Sequence, residues 1–545
     1  MELIHELERA QSERTYLNEA SLRELAARLG VPLYRLQSLV SFYPHFRTEP
    51  PRRWTIDVCR DMSCFLHDQG AGAAALRAAL EDNPEVEVRE GSCLGCCELA
   101  PAIRVNGAPR RLDDLAEVKA QVAAGEASPP ADGPRSEGGP WHCDPYAAGG
   151  ERYQALRTAV SAGDPEATRD RIVQVLEESG LRGMGGAGFP TGLKWKLVRK
   201  EEATPKYVVC NADESEPGTF KDRVIMEQLP HLVIEGIAVA GFTVGAREGI
   251  IYLRHEYEAA HAALEAELET ARAAGALGAD VFGSGVSFDI RIFISPGGYI
   301  LGEETALLEA LEDKRGEPRN KPPFPGQKGL WNLPTLMNNV ETLAYVPGII
   351  LGGADAWKEK GAAGFSGLKF ISVSGHIERP GVYEIPTGTT VAELIEMAGG
   401  VAGGRALKAF APGGASSNFL PAHRAEAAID FASLEEAGSM MGSGALVVVA
   451  EDTPMLPLAA NVVRFFRNES CGKCVPCRDG TEKAVRMLDR ALADGTPLDW
   501  ETVEKLNLLL GETSICGLGY VALNPLISAN EHWPDEVPHE GRAKT

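Results

Sequence analysis

The 545-residue chain is long enough for three or four domains of roughly 150 residues each. Its 54 basic and 77 acidic residues give a formal charge of −23, which repels phosphate backbones and sets a nucleic-acid partner aside. No stretch approaches the ~18 continuous apolar residues of a membrane span. The opening MELIHELERA has no basic region followed by an apolar core, so the expectation is a cytoplasmic protein with no direct membrane insertion.

In chain order, residues 1–45 read as a helical segment, with LRELAARLG at helical spacing and Gly30 and Pro32 to end it. Residues 46–125 hold the strand-like runs RWTIDVC, VEVRE and AIRVNG, an Ala-rich helix near 71–80 and a turn at Asn106-Gly107. They predict a small α/β domain with cysteines at strand ends. Residues 126–150, rich in Gly, Pro and Ser, read as a linker. From 151 to 345, PKYVVC, GIIYLR and DIRIFIS alternate with helices such as YEAAHAALEAELETARAAG, the pattern of a doubly wound, Rossmann-like sheet. The apolar run from His231 contains Glu235 and several glycines and reads as a buried helix. Residues 366–440 give strand, turn, strand and a helix capped by Thr389 or Thr390 that stops at Gly399-Gly400, a β-grasp pattern. Residues 441–530 read as a helical bundle and 531–545 as a tail, completing an α/β multidomain chain.

Eleven cysteines in a reducing compartment argue for metal or redox centres rather than disulfides. Cys471-x2-Cys474-x2-Cys477 puts three thiolates on one turn and Cys516 returns later, the way a [4Fe-4S] cluster is held. Zinc more often takes two separated pairs. Cys59-x4-Cys64 and Cys93-x3-Cys97 suit a [2Fe-2S] cluster with two ligands from each of two loops. Cys96 complicates this, because Cys93-x2-Cys96 has zinc-like spacing, and a zinc ribbon or redox dithiol stays open. Cys143 reads as an ordinary linker thiol and Cys210 as a packed one.

Four loops stand out. Gly183-Met-Gly185-Gly186-Ala-Gly188 lets the backbone approach a ligand and aim N–H groups at an anion, with Lys194 adding charge. Asn211, Asp213, Ser215 and Glu216 follow a strand, where α/β sheets place ligand loops. Tyr299 to Thr305 follows another strand, and Asn338-Asn339-Val-Glu341-Thr342 comes after Lys321-Pro-Pro-Phe324. Singly each is a turn or a helix cap; together they are polar and glycine loops beyond the strands of one sheet.

RGMGGAGFPTGLKW, CNADESEPGTFKDR, GYILGEETALLEALE, KPPFPGQKGLW, NNVETL and ESCGKCVPCRDGT together resemble the NADH-oxidising flavoprotein subunit of respiratory complex I and its soluble relatives, over about residues 155–530. DVCRDMSC and CLGCCELAP make residues 1–125 similar to the thioredoxin-like [2Fe-2S] subunit of the same assemblies. The resemblance implies FMN held by Gly183, Gly185, Gly186, Lys194, Asn211, Asp213, Ser215, Tyr299, Gly302, Glu303, Asn338, Asn339 and Thr342. It implies NAD(H) held by Phe189, Glu216, Glu304, Lys321 and Phe324, one [2Fe-2S] on Cys59, Cys64, Cys93 and Cys97 with Cys96 spare, and one [4Fe-4S] on Cys471, Cys474, Cys477 and Cys516. Met184 stands where many relatives carry Arg, which removes a phosphate or substrate contact.

No protein acid or base is implied, because hydride passes directly between nicotinamide and flavin. The β-grasp would be of the soluble-ligand-binding type and is expected to act as a spacer. Fusion of the two modules resembles the diaphorase subunits of soluble NAD-dependent formate dehydrogenases and NAD-reducing hydrogenases. A molybdenum or tungsten formate dehydrogenase alpha subunit is the expected partner, with a hydrogenase or a complex I-like quinone oxidoreductase as alternatives. The assembly would be a hetero-oligomer, a dimer of heterodimers being one arrangement. A flavin-free docking scaffold is the non-enzymatic alternative, opposed by the intact loops and the full set of expected cysteine ligands.

Overall fold

The computed structural model describes residues 2–80, 82–125 and 141–538. The expected linker at 126–140 and the last part of the expected tail, 539–545, lie outside the described residues.

Three helices open the chain, Leu3–Arg14, Glu19–Leu29 and Leu33–Phe42. Asn18 caps the second by accepting from Ser21 N at 2.8 Å, and Gly30 ends it in the left-handed region. Their apolar faces (Leu3, Leu7, Leu25, Leu36, Leu39) share one core with Tyr252 and Phe293 of a later sheet. They are therefore the roof of that sheet rather than a separate segment. The next unit is a four-stranded sheet in the order Val86–Gly91, Trp54–Cys59, Ala102–Val105, Ala108–Arg111, with the first pair parallel. The last two strands turn at Asn106 and Gly107, both at positive φ as a tight hairpin requires.

The central sheet is entirely parallel, in the order Asp289–Ser295, Ala246–Arg254, Lys206–Ala212, Thr335–Asn339. Both faces are covered, which is why its strands are near-continuous apolar runs. Val208 and Cys210 face a core with the buried helix Pro230–Val244 and the helix Val340–Lys358. Tyr207 and Val209 face the N-terminal helices and the C-terminal bundle. From Lys206–Ala212 the chain winds one way and then returns on the other side with Thr335–Asn339. The topological switch point thus falls between these two strands, where ligands bind in open α/β sheets.

The β-grasp sheet runs Gly381–Pro386, Leu368–Gly375, Ala445–Ala450, Leu407–Ala411, Leu420–Pro421. Thr390 caps the helix Val391–Met397 in a capping box with Glu393. A boundary at 440 cuts this sheet, because its fully buried middle strand, Ala445–Ala450, pairs in parallel with Leu368–Gly375. The bundle follows with Met455–Glu469, Val475–Asp494, Trp500–Thr513, Gly517–Val521 and Asn524–His532. Residues 531–538 are not a loose tail: Glu536 accepts from Lys408 Nζ at 2.5 Å and Met455 N at 2.7 Å, and Val537 is buried. Nor do residues 141–150 hang free. Cys143 is buried with its N–H on Glu384 Oε1 at 2.9 Å, and the Tyr146 hydroxyl donates to Glu235 Oε2 at 2.8 Å. Among the described residues no single helix is long and apolar enough to cross a membrane.

Candidate functional site

Cys59 ends a strand, Cys64 lies in the helix Met62–Asp68, and Cys93 and Cys97 sit in the loop after Val86–Gly91. All four are buried, Cys93 and Cys97 Sγ lie 3.5 Å apart, and Cys59 touches both Cys64 and Cys93. Backbone N–H groups point at the sulfurs: Ala102 to Cys64 (3.3 Å), Gly95 to Cys93 (3.4 Å) and Gly218 to Cys97 (3.4 Å). Such donors stabilise thiolate and set the potential of a cluster. Hydrogen bonds from Cys59 and Cys97, then the Arg254 guanidinium, hold the Cys93 thiol well below its usual range. Cys96 turns aside, donating to Leu94 O at 3.4 Å with Arg104 Nη2 at 3.8 Å, and burial pushes its thiol up.

Gly218 belongs to the loop beyond Lys206–Ala212, so the cysteine loop and the central sheet meet along a polar seam. Arg104 Nη2 donates to Glu256 O at 2.9 Å, Arg254 donates to Cys93 O, and Arg223 pairs with the buried Glu98. At Gly95 a side chain has no room, since a Cβ would lie 2.6 Å from the Tyr257 ring. None of these partners carries a sequence signal beyond its residue type.

The cleft opens at the switch point. Gly185 packs so closely on Asn339 that a Cβ would lie 2.9 Å from Asn339 Cβ. Met184 N donates to Thr342 Oγ1 at 2.8 Å while the Met184 side chain is buried in the core, so this position offers the cleft no side chain. Gly183 N donates to Phe189 O at 2.8 Å. Asn211 Nδ2 donates to Gly302 O at 2.8 Å, and Ser215 Oγ donates to Asp213 Oδ2 at 3.3 Å. Burial raises the Asp213 carboxyl to about 7, and its Oδ1 is a buried acceptor without a partner. Trp195 Nε1 donates to Asn338 Oδ1 at 2.9 Å. The half-buried Lys194 donates only to Met337 O at 3.1 Å, and burial lowers its pKa. A cradle of bare backbone, an orphaned carboxylate oxygen and an ammonium held by one carbonyl fit an anionic, hydrogen-bonding cofactor such as FMN.

At the mouth, Phe189 is 42% and Phe324 54% exposed. Lys194 Nζ lies 5.9 Å from the Phe189 ring centre, and Lys321 bridges Glu303 (2.8 Å) and Glu304 (2.9 Å). Glu303 also caps the helix Glu304–Leu311 through Thr305 N and Ala306 N. Glu216, expected to hold NAD(H), reaches across to the β-grasp domain, accepting from Ser416 N at 2.8 Å and Ser416 Oγ at 2.5 Å, and burial raises its carboxyl to about 7.

Cys471, Cys474, Cys477 and Cys516 line one small cavity with Pro318, Lys473, Leu518 and Ile300. Cys474 and Cys516 each occupy the N-cap position of a helix. Burial pushes Cys477 to about 11 and Cys516 to about 12. Among the described residues no three His, Cys, Asp or Glu side chains are drawn tightly enough to hold a single metal ion. Three thiols from one loop and a fourth returning to the same cavity suit a multi-iron cluster. Ile300 belongs to the Tyr299–Gly302 turn, which also carries the cleft residues Tyr299 and Gly302. Tyr299 packs on Phe465 at 5.0 Å, and its N–H donates to Glu469 Oε2 at 2.9 Å. Glu469, two residues before Cys471, also accepts from Ser92, next to Cys93. One carboxylate, the first residue of the ESCGKCVPCRDGT motif, thus ties the Tyr299 turn to the loops of both cysteine sets.

Four family descriptions match the chain: "Nuo51 FMN-binding domain" over residues 176–348, "NADH-ubiquinone oxidoreductase-F iron-sulfur binding region" over 457–540, "Thioredoxin-like [2Fe-2S] ferredoxin" over 1–123 and "SLBB domain" over 370–417. The chain is 46% identical over 393 residues to the F 2 subunit of the NADH-quinone oxidoreductase of Rhizobium meliloti, covering 72% of this chain and 92% of that protein. It is 42% identical to the HndC subunit of the NADP-reducing hydrogenase of Solidesulfovibrio fructosivorans, covering 68% and 76%. A solved NAD+-reducing [NiFe]-hydrogenase in its H2-reduced state superposes with a TM-score of 0.84 at 30% identity, covering 97% of this chain and 92% of that one.

Proposed function

The chain belongs to the family of F-type flavoprotein subunits of NADH-quinone oxidoreductase, a diaphorase-type subunit with FMN, [2Fe-2S] and [4Fe-4S] domains, and from that membership we propose a full electron route through it. FMN supplies the chemistry, accepting hydride from NADH and returning single electrons. The chain's residues bind and orient. Gly183, Gly185 and Gly186 present backbone to FMN, Lys194 faces its phosphate, and Asp213 Oδ1 meets a ribityl hydroxyl or ring donor. Phe189 and Phe324 stack the dinucleotide at the mouth, with Lys321 and Glu304 beside them. Glu216 reaches NAD(H) only by releasing Ser416.

The observation that carries this reading is the Tyr299–Gly302 turn, one side of which lines the cleft while Ile300 lines the cavity of the last four thiols. With FMN and a [4Fe-4S] cluster bound, that turn would lie between the two groups that exchange single electrons. Around the exit the surface is apolar and open: Val475 is 58%, Leu508 65% and Tyr520 44% exposed. We place an iron–sulfur catalytic subunit there, and the assembly in the cytoplasm, where free buried thiols stay reduced.

For the partner, the fused arrangement supports a molybdenum or tungsten formate dehydrogenase reducing NAD+. The near full-length likeness to the hydrogenase structure, N-terminal module included, favours a second reading, the diaphorase subunit of an NAD-reducing hydrogenase. Purified protein should be yellow, be bleached by NADH and reduce an artificial acceptor; a colourless protein that ignores NADH ends the reading. Metal analysis of the co-purified complex separates the partners, molybdenum or tungsten against nickel, with formate- or H2-dependent NAD+ reduction as the matching assay.

A further inference from the structure

The β-grasp domain reads as a spacer in the sequence, yet it delivers a charge to the cleft. Lys369, in the strand Leu368–Gly375, is fully buried. Its Nζ lies 2.5 Å from Glu341 Oε2, and the same oxygen lies 2.8 Å from Lys221 Nζ. Lys221 continues to Asp222 Oδ1 at 2.7 Å, and Asp222 Oδ2 accepts from Asn339 Nδ2 at 2.5 Å. Asn339 Oδ1 accepts from Glu341 N at 3.0 Å and closes the ring. Asn339 is also the residue against which Gly185 is packed. The β-grasp backbone joins in, with Phe370 N donating to Glu341 Oε1 at 2.9 Å.

We propose that Lys369 is a positioning residue for FMN, through which the β-grasp domain sets the affinity of the cleft by way of the Lys369–Glu341–Lys221–Asp222–Asn339 ring. The proposal rests on the reading that Asn339 and Gly185 hold FMN. With Lys369 charged, two cations balance the carboxylates of Glu341 and Asp222. With Lys369 neutral, the ring carries a net negative charge beside a site for an anion, and FMN is held less well. The other groups facing the ring are Glu214, which accepts from Asp222 N at 2.9 Å, and the Tyr345 hydroxyl, 3.2 Å from Glu341 Oε1. Burial brings Lys369 down to about 8, whereas Asp222 and Glu341 hold Lys221 up against its own burial. Lys369 is therefore the cation of the cluster that changes charge just above neutrality, while burial raises the neighbouring Glu214 to about 7.

The test strips FMN from the full chain and titrates it back by flavin fluorescence quenching between pH 7 and 9.5. Wild type should lose about three- to thirty-fold in affinity across that range. K369M should be weak already at pH 7 and lack the fall centred near pH 8, keeping only what Asp213 and Glu214 contribute near pH 7. K369R, which keeps its charge, should stay tight and likewise lack the fall near pH 8. K369M with wild-type affinity and pH profile overturns the proposal. So does a flat wild-type profile, which needs no variant and decides the matter even when K369M fails to fold. Absence of FMN binding by wild type at every pH would instead overturn the flavin reading beneath it.

Discussion

The two cysteine sets are built on opposite plans. Cys59, Cys64, Cys93 and Cys97 lie buried where the N-terminal domain meets the central sheet, with N–H donors from both sides of the seam. Cys471, Cys474 and Cys516 are half-buried on one loop and two helix caps, under a surface bearing Val475 and Tyr520. A buried, hydrogen-bonded site fixes a potential and keeps partners away; a shallow one permits transfer to another protein. On the proposed electron route, the first site would hold an electron and the second would pass it on.

The sharpest way to break this comparison is Cys474→Ala. NADH should still bleach the flavin and the [2Fe-2S] signal should survive in electron paramagnetic resonance, while reduction of the partner is abolished. Persisting partner reduction would move the exit to the N-terminal site. Next in size is Arg223→Ala, which leaves Glu98 buried without its cation and should cost about 3 kcal/mol. Chemical denaturation should show that loss, with chelators stripping the [2Fe-2S] cluster faster and the [4Fe-4S] cluster at the wild-type rate. Glu469→Ala removes the carboxylate that touches both halves, and about 1–2 kcal/mol of stability should go with it. Equal sensitivity of the two clusters in that variant would mark Glu469 as their shared anchor.

The smallest effect concerns pH. The folded pKa of Asp213, about 7, lies above its ordinary 3.8. Between these values the folded chain keeps a proton that the unfolded chain has lost, so stability falls as pH rises through 7. For the FMN-free protein that amounts to about 1 kcal/mol between pH 6 and 8. Burial also raises Glu214, Glu216 and Glu235 to about 7, so Asp213→Asn should lessen the slope of the thermal-melting profile by its own share; an unchanged slope would show that the other carboxyls set it.

Much of this was legible in the sequence because each signal is local. Parallel strands covered on both faces are unbroken apolar runs, cysteine triplets keep their spacing, and glycine loops follow strands. What stayed hidden depends on distant partners. Glu216 reads as a loop carboxylate after a strand, and its partner Ser416 lies 200 residues on. Ala445–Ala450 belongs to the β-grasp sheet only through pairing with a strand some 70 residues earlier. Lys369 lies in ordinary strand sequence and Glu469 opens the ESCGKCVPCRDGT motif, and their roles arise from contacts that no periodicity encodes.

The N-terminal helices carry a consequence for anyone wishing to simplify this chain. Because Leu7 and Leu36 share a core with Tyr252 and Phe293, cutting away the first 45 residues would unroof the flavin sheet rather than release an accessory. The shortened protein should bind a hydrophobic dye and precipitate, because the bared apolar face would then meet water.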